Sequence, residues 1–271
     1  MRILLATCVV VACAMVAGAQ QARPDDSVAR PVLQYGVEDG IANPKLPTVF
    51  VVGDSTARNG KDLGWGDHFA HYFDLARVNV ANRARGGRSS RTFIHEGAWD
   101  KVLAEMKAGD FVLIQMGHNE GGPVDGAKGR ASLKGVGDEQ QKIVLADGTH
   151  EVVHTFGWYL RKYIGDTRAK GATPILLTTT VRNIWTDGKI ERDMGYGAAV
   201  NAVGAAERVA VADMGRVAAD GFEAMGQEKT ALMFPIDHTH TSAAGAEFNA
   251  HAVVVALREI KSPVAKYLRA D

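Results

Sequence analysis

A chain of 271 residues with 46% hydrophobic content can enclose one sizeable core, and we read one main domain in it. Basic and acidic residues number 31 each, so no positive excess argues for nucleic acid or an anionic membrane surface; a small or neutral substrate is the easier inference. Both cysteines, Cys8 and Cys13, fall in the first segment, which leaves the expected mature chain without disulfide or thiol chemistry.

That segment, residues 1–19, has a basic Arg2, an apolar stretch from Ile3 to Val16 and the small-residue pattern Ala17-Gly18-Ala19 before Gln20. It has the form of a secretory signal peptide and is too short and too weakly flanked for a membrane anchor. The mature protein is therefore expected to be secreted or periplasmic, with no membrane insertion. Val10-Val11-Ala12-Cys13 also resembles a lipoprotein cleavage box, which makes lipid anchoring at Cys13 the minor alternative. Residues 20–46 combine prolines and charges without periodicity, as an extended arm or linker does, and 47–271 form the catalytic domain.

After Pro47 a regular alternation begins. Apolar runs at 49–52, 78–80, 111–114, 175–177 and 209–211 are short and mostly β-branched or aromatic, which suits strands covered on both faces. Between them, helical spacing links Phe69, Tyr72, Phe73 and Ala76, then Trp99, Val102, Leu103 and Met106, then Phe156, Tyr159, Leu160, Tyr163 and Ile164. A last helix is expected from Thr241 or Ser242 to about Leu257. The alternation predicts a three-layer α/β/α sandwich around a mostly parallel five-stranded sheet. Segments 121–151, rich in glycine and charge, and 182–195, carrying Asn183 and Trp185, interrupt it and are expected as loops walling a trough.

Polar clusters follow the apolar runs: Gly53-Asp54-Ser55-Thr56, Ala84-Arg85-Gly86-Gly87-Arg88-Ser89, Gly117-His118-Asn119-Glu120 and, near the C-terminus, Asp237-His238-Thr239-His240. In open α/β sheets ligands bind beyond the carboxyl ends of the strands, and Ser55, Gly87 and Asn119 follow the first three strands. Ser55 is a hydroxyl that a turn at Asp54 can lift off the sheet. It is not a Gly-x-Ser-x-Gly elbow, because Ala57 replaces the second glycine.

Nine histidines compete as its base. Asp237 and His240 are three apart, so in a turn the carboxylate can orient the imidazole. Glu151 with His154 and Glu247 with His251 have similar spacing, but they lie at or within predicted helices and suit solvated faces. The backbone amides of Ser55 and Gly87 and the side-chain amide of Asn119 can meet a developing oxyanion. Taken singly, each of these is also an ordinary turn residue. A competing arrangement makes His118, Asp237, His238 and His240 zinc ligands.

In this order, from about Thr48 to Leu257, the clusters resemble the SGNH (GDSL) hydrolases, and within them the rhamnogalacturonan acetylesterases. The closer likeness rests on Gly53 to Thr56, Gly64-Trp65-Gly66, Asn82 to Arg91, Phe234-Pro235-Ile236-Asp237-His238-Thr239-His240-Thr241-Ser242 and Ala244-Gly245-Ala246-Glu247. The resemblance implies a catalytic set of Ser55, Asp237 and His240, an oxyanion hole from Ser55, Gly87 and Asn119, and no metal or organic cofactor. It also implies an acetylated polysaccharide or oligosaccharide as substrate, with rhamnogalacturonan foremost. Glu120 departs from the usual Gly-His-Asn-Asp block. Two alternatives stay open: an SGNH esterase acting on acetylated xylan, other glycans or lipids, and a non-catalytic glycan-binding protein. Aromatic content of only 7% argues against a large greasy acyl pocket.

Overall fold

The computed structural model describes residues 41–126 and 128–270; the segment 1–19 read as a signal peptide, Cys13 and most of the expected arm lie outside the described residues. The central sheet contains β1 (Thr48–Gly53), β2 (Asn79–Asn82), β3 (Phe111–Gln115), β6 (Thr173–Leu177) and β9 (Ala210–Ala212). Hairpins β4–β5 (Gln140–Val144, His150–His154) and β7–β8 (Arg182–Thr186, Lys189–Glu191) stand outside it. All neighbours in the order β2-β1-β3-β6-β9 pair in parallel. Counting sheet strands alone, this is the flavodoxin-like order 2-1-3-4-5, which reverses direction between β1 and β3 and opens a crevice beyond their carboxyl ends.

The runs form buried strands because side chains alternate between two apolar layers. Val49 and Val51 of β1, with Leu113 and Ile175, enter one core; Phe50 and Val52, with Val112 and Leu176, enter the other. Helices α1 (Trp65–His68), α6 (Met214–Met225) and α8 (Ala243–Glu259) contribute to the first core. The second is covered by α2 (Ser90–His95), α3 (Ala98–Glu105), α4 (Phe156–Ala169) and α5 (Gly197–Glu207). A short α7 (Gln227–Ala231) leads into the loop before α8. Ser242 caps α8, its side chain accepting from the Gly245 amide at 3.2 Å.

Three expectations need correction. The stripe from Phe69 to Ala76 forms only a 3-10 turn at Ala70–Tyr72, because Phe73 bridges to Leu268 and the Asp74 amide donates to Tyr267 O at 2.9 Å, spending the backbone groups a helix would need. The two segments expected as loops fold partly into the hairpins, and Glu151 lies in β5 rather than a helix. Neither Glu151 nor Glu247 sits on a freely solvated face. Glu247 meets His68 Nδ1 at 3.0 Å, His71 Nε2 at 3.2 Å and the Tyr72 hydroxyl, tying α8 to the segment after α1.

Glu151 grips Arg91, whose side chain is 1% exposed, through contacts of 2.8 and 2.5 Å. Arg91 Nη1 also donates to Val124 O and Ala131 O, fastening the 121–131 loop to α2. Removing one partner of a buried ion pair strands the other, so Arg91→Ala should cost about 3–5 kcal/mol in urea unfolding; a change within about 0.5 kcal/mol, the usual span of surface substitutions, would contradict this anchoring.

Candidate active site

The turn after β1 is fixed by Asp54, which is wholly buried. Asp54 Oδ1 lies 2.9 Å from both the amide and the hydroxyl of Thr56, and Asp54 O accepts from the Ala57 and Arg58 amides. Half-buried Ser55 is thereby held off the sheet end. The Gly64-Trp65-Gly66 stretch closes the turn from behind: the Trp65 and Gly66 amides each donate at 3.0 Å, to Thr56 O and Ala57 O. A Cβ on Gly64 would stand 2.4 Å from the Ala57 carbonyl carbon, so this approach requires glycine. Trp65 Nε1 donates to Gln115 Oε1 at 3.1 Å, locking the turn to the end of β3.

Asp54 Oδ2 stands 3.3 Å from His118 Nδ1, near enough for charge attraction but outside hydrogen-bond alignment. His118 Nε2 lies 3.0 Å from Thr180 O. Burial pushes the Asp54 carboxyl up, but the His118 ring and the Thr56 donors outweigh it and hold the group below the usual carboxylate range.

His240 arrives from the loop before α8. Asp237 Oδ1 accepts from the Thr239 and His240 amides, both at 2.7 Å, and Asp237 Oδ2 lies 2.7 Å from His240 Nδ1. Burial raises the Asp237 pKa, yet these donors bring it down to about 2, so the group is anionic at neutral pH. A carboxylate only accepts, which puts the ring proton on Nδ1 and leaves Nε2 as an acceptor. That nitrogen stands 2.9 Å from Ser55 Oγ. Such a chain can draw the hydroxyl proton during attack on a carbonyl.

The other expected residues lie on the loops after β2 and β3. Gly86 backs onto Ser55, where a Cβ would be 3.6 Å from the serine Cβ, and Gly87 follows with φ +76°. Asn119 is buried and spends one side-chain N–H on Arg88 O at 3.1 Å, which orients the amide and leaves its second N–H for a ligand. Among the described residues, no turn or loop hydrogen bond uses the Ser55 or Gly87 amide. Behind Asn119, Glu120 accepts from the Ser90 amide (2.7 Å), the Ser90 hydroxyl (2.9 Å) and the Ser132 hydroxyl (2.8 Å). The longer side chain thus finds a full set of partners, while burial pushes its pKa up to about 7.

The four residues weighed as zinc ligands do not converge: both His240 nitrogens and His118 Nε2 have the partners just described, while exposed His238 offers its carbonyl to the Asn183 amide at 2.7 Å. Among the described residues, no group of three or more His, Cys, Asp or Glu is arranged to hold a metal ion. Sequence reasoning missed the Asp54–His118 contact, since Asp54 resembled an ordinary turn residue. A carboxylate directly before Ser55 and a histidine directly before Asn119 were the available signal.

The sequence model of the GDSL-like lipase/acylhydrolase family matches residues 51–248. A rhamnogalacturonan acetylesterase of Emericella nidulans is 35% identical over 216 residues, covering 78% of this chain and 84% of that protein. Rhamnogalacturonan acetylesterase RhgT of Bacillus subtilis is 29% identical, covering 81% and 93%. Among solved structures, Bacillus subtilis protein YXIM superposes with a TM-score of 0.65 at 26% identity, over 80% of this chain and 58% of that one. The acetylxylan esterase Axe2 of Geobacillus stearothermophilus, at TM-score 0.53 and 17% identity over 83% of this chain and 97% of its own, shares the fold. With the sheet order, the family match and these relatives together, the chain belongs to the GDSL-like lipase/acylhydrolase family and is a carboxylic ester hydrolase.

Proposed function

We propose that this chain is a secreted serine esterase that removes O-acetyl groups from a plant cell-wall polysaccharide, foremost rhamnogalacturonan, through an acetyl-serine intermediate. The observation that carries the reading is the 2.9 Å contact of Ser55 Oγ with an imidazole whose far nitrogen is held by an anionic carboxylate. The substrate class is supported by relatives named as rhamnogalacturonan acetylesterases across most of the chain. The apolar 1–19 segment supports export.

Ser55 Oγ attacks the acetyl carbonyl as its proton passes to His240 Nε2. The positive charge that forms on the ring is stabilised by Asp237, and the oxyanion is met by the Ser55 and Gly87 amides and the free N–H of Asn119. His240 then protonates the sugar oxygen as its bond to the acyl carbon breaks. Water, deprotonated by the same nitrogen, attacks the acetyl-serine, releasing acetate and restoring the hydroxyl. Glu120 acts at one remove, fixing the Asn119 loop against the start of α2 through Ser90.

Ser55→Ala should lose several orders of magnitude in acetate release from acetylated rhamnogalacturonan, and near-normal release would sink the assignment. Asn119→Ala should lower kcat by on the order of 10²-fold or more, as for a lost oxyanion donor. Preference of the wild type for acetylated xylan over the pectic polymer would keep the mechanism and change the substrate.

Glu120 generates a pH dependence. The unfolded chain gives up this proton near 4.5 and the folded chain near 7, so the fold binds the proton better between them and stability falls as pH rises through that window. Glu120→Gln cannot titrate. From about pH 5 to about pH 7.5 its urea midpoint should rise relative to wild type, whereas parallel pH profiles would refute a carboxyl with a raised pKa.

A further inference from the structure

The balanced overall charge conceals two arginines on segments tied to the reactive centre. Arg130 lies in the loop fastened to α2: its amide donates to Pro123 O at 3.2 Å, and its carbonyl accepts from the α2 cap Ser89 Oγ at 2.5 Å. From this fixed backbone the exposed side chain turns back to Gly87, Nη1 donating to Gly87 O at 3.2 Å. A guanidinium therefore sits on the peptide next to a proposed oxyanion amide.

Arg182 opens β7, the strand whose next residue reaches the His240 loop. Its neighbour Asn183 binds the carbonyl of His238, two residues before His240. The Nε of half-buried Arg182 is shielded and has no hydrogen-bond partner among the described residues. Neither arginine has an ion-pair partner there, in contrast to Arg83, Arg91 and Arg192, each of which holds a carboxylate.

A guanidinium without a carboxylate partner is suited to a planar carboxylate, which it can grip with two parallel hydrogen bonds. We propose that Arg130 and Arg182 recognise uronate carboxylates of the acetylated polymer, so that the site selects acidic over neutral acetylated glycans. The proposal rests on the polysaccharide acetylesterase reading above and adds to it the residues that distinguish an acidic chain from a neutral one.

The test compares kcat/KM on acetylated rhamnogalacturonan oligosaccharides with kcat/KM on the same oligosaccharides after their carboxyls are reduced to alcohols. It uses wild type, Arg130→Gln, Arg130→Lys and Arg182→Gln. Wild type should favour the acidic form by about 10-fold or more, the scale of charge-assisted hydrogen bonds. Arg130→Gln and Arg182→Gln should shrink that preference through a higher KM on the acidic form, and Arg130→Lys should restore part of it. The neutral oligosaccharide is the internal control for folding in every variant. Equal rates on both forms in wild type, or an undiminished preference in the glutamine variants, would overturn the proposal. Wild type that cleaves p-nitrophenyl acetate but neither oligosaccharide would overturn the substrate reading itself, and this inference with it.

Discussion

The Ser55–His240 contact joins residues 185 positions apart, and a proton can cross it only if two distant loops are held to within a fraction of an ångström. Much of the surrounding structure serves that constraint. The His240 loop is tied down where the Ser242 amide donates to Met233 O at 2.8 Å and Thr241 Oγ1 to Leu63 O at 3.2 Å. Leu63 precedes the Gly64-Trp65-Gly66 stretch that closes the Ser55 turn. Further along the same helix pair, Glu247 holds His68 and His71. Both loops are therefore anchored to one rigid unit, formed by α1, α8 and the shared core beneath them.

Charge is distributed in two ways around the carboxyl ends of these strands. Asp54 and Glu120 are buried and compensated locally, the first by His118 and Thr56, the second by Ser90 and Ser132. Such a network costs desolvation and returns rigidity, because each carboxylate oxygen with a donor has one preferred place. Arg130 and Arg182 have no ion-pair partner among the described residues, and Arg130 is exposed. Neither arrangement is visible in the composition, where 31 basic and 31 acidic residues sum to a net charge of zero.

The parallel sheet was legible in the sequence because strands covered on both faces leave continuous apolar runs. β9 is offset by one residue, at Ala210–Ala212. The hairpins were not legible: Ile143 is the only buried residue of β4 and Val153 the only one of β5, so neither strand has an apolar run to find. Phe69 and Phe73 have helical spacing but are buried as rings stacked edge-on with Trp65 and each other, and tertiary pairing with the C-terminal segment overrode the local pattern. At the site, spacing alone left other carboxylate–histidine pairs open, and Ser55, Asp237 and His240 were singled out by the resemblance of the ordered clusters. The roles of Asp54, Arg91 and Arg130 depend on partners far away in sequence, which spacing cannot reveal.

The central claim is that Ser55 is a nucleophile activated by His240. Treating the folded protein with a fluorophosphonate ester, which phosphonylates activated serines, and mapping the adduct by peptide mass spectrometry tests this most directly. The account predicts one adduct per chain, on Ser55, and strongly slowed labelling in His240→Ala. An active esterase that takes no label, or takes it on a different residue, would contradict the account.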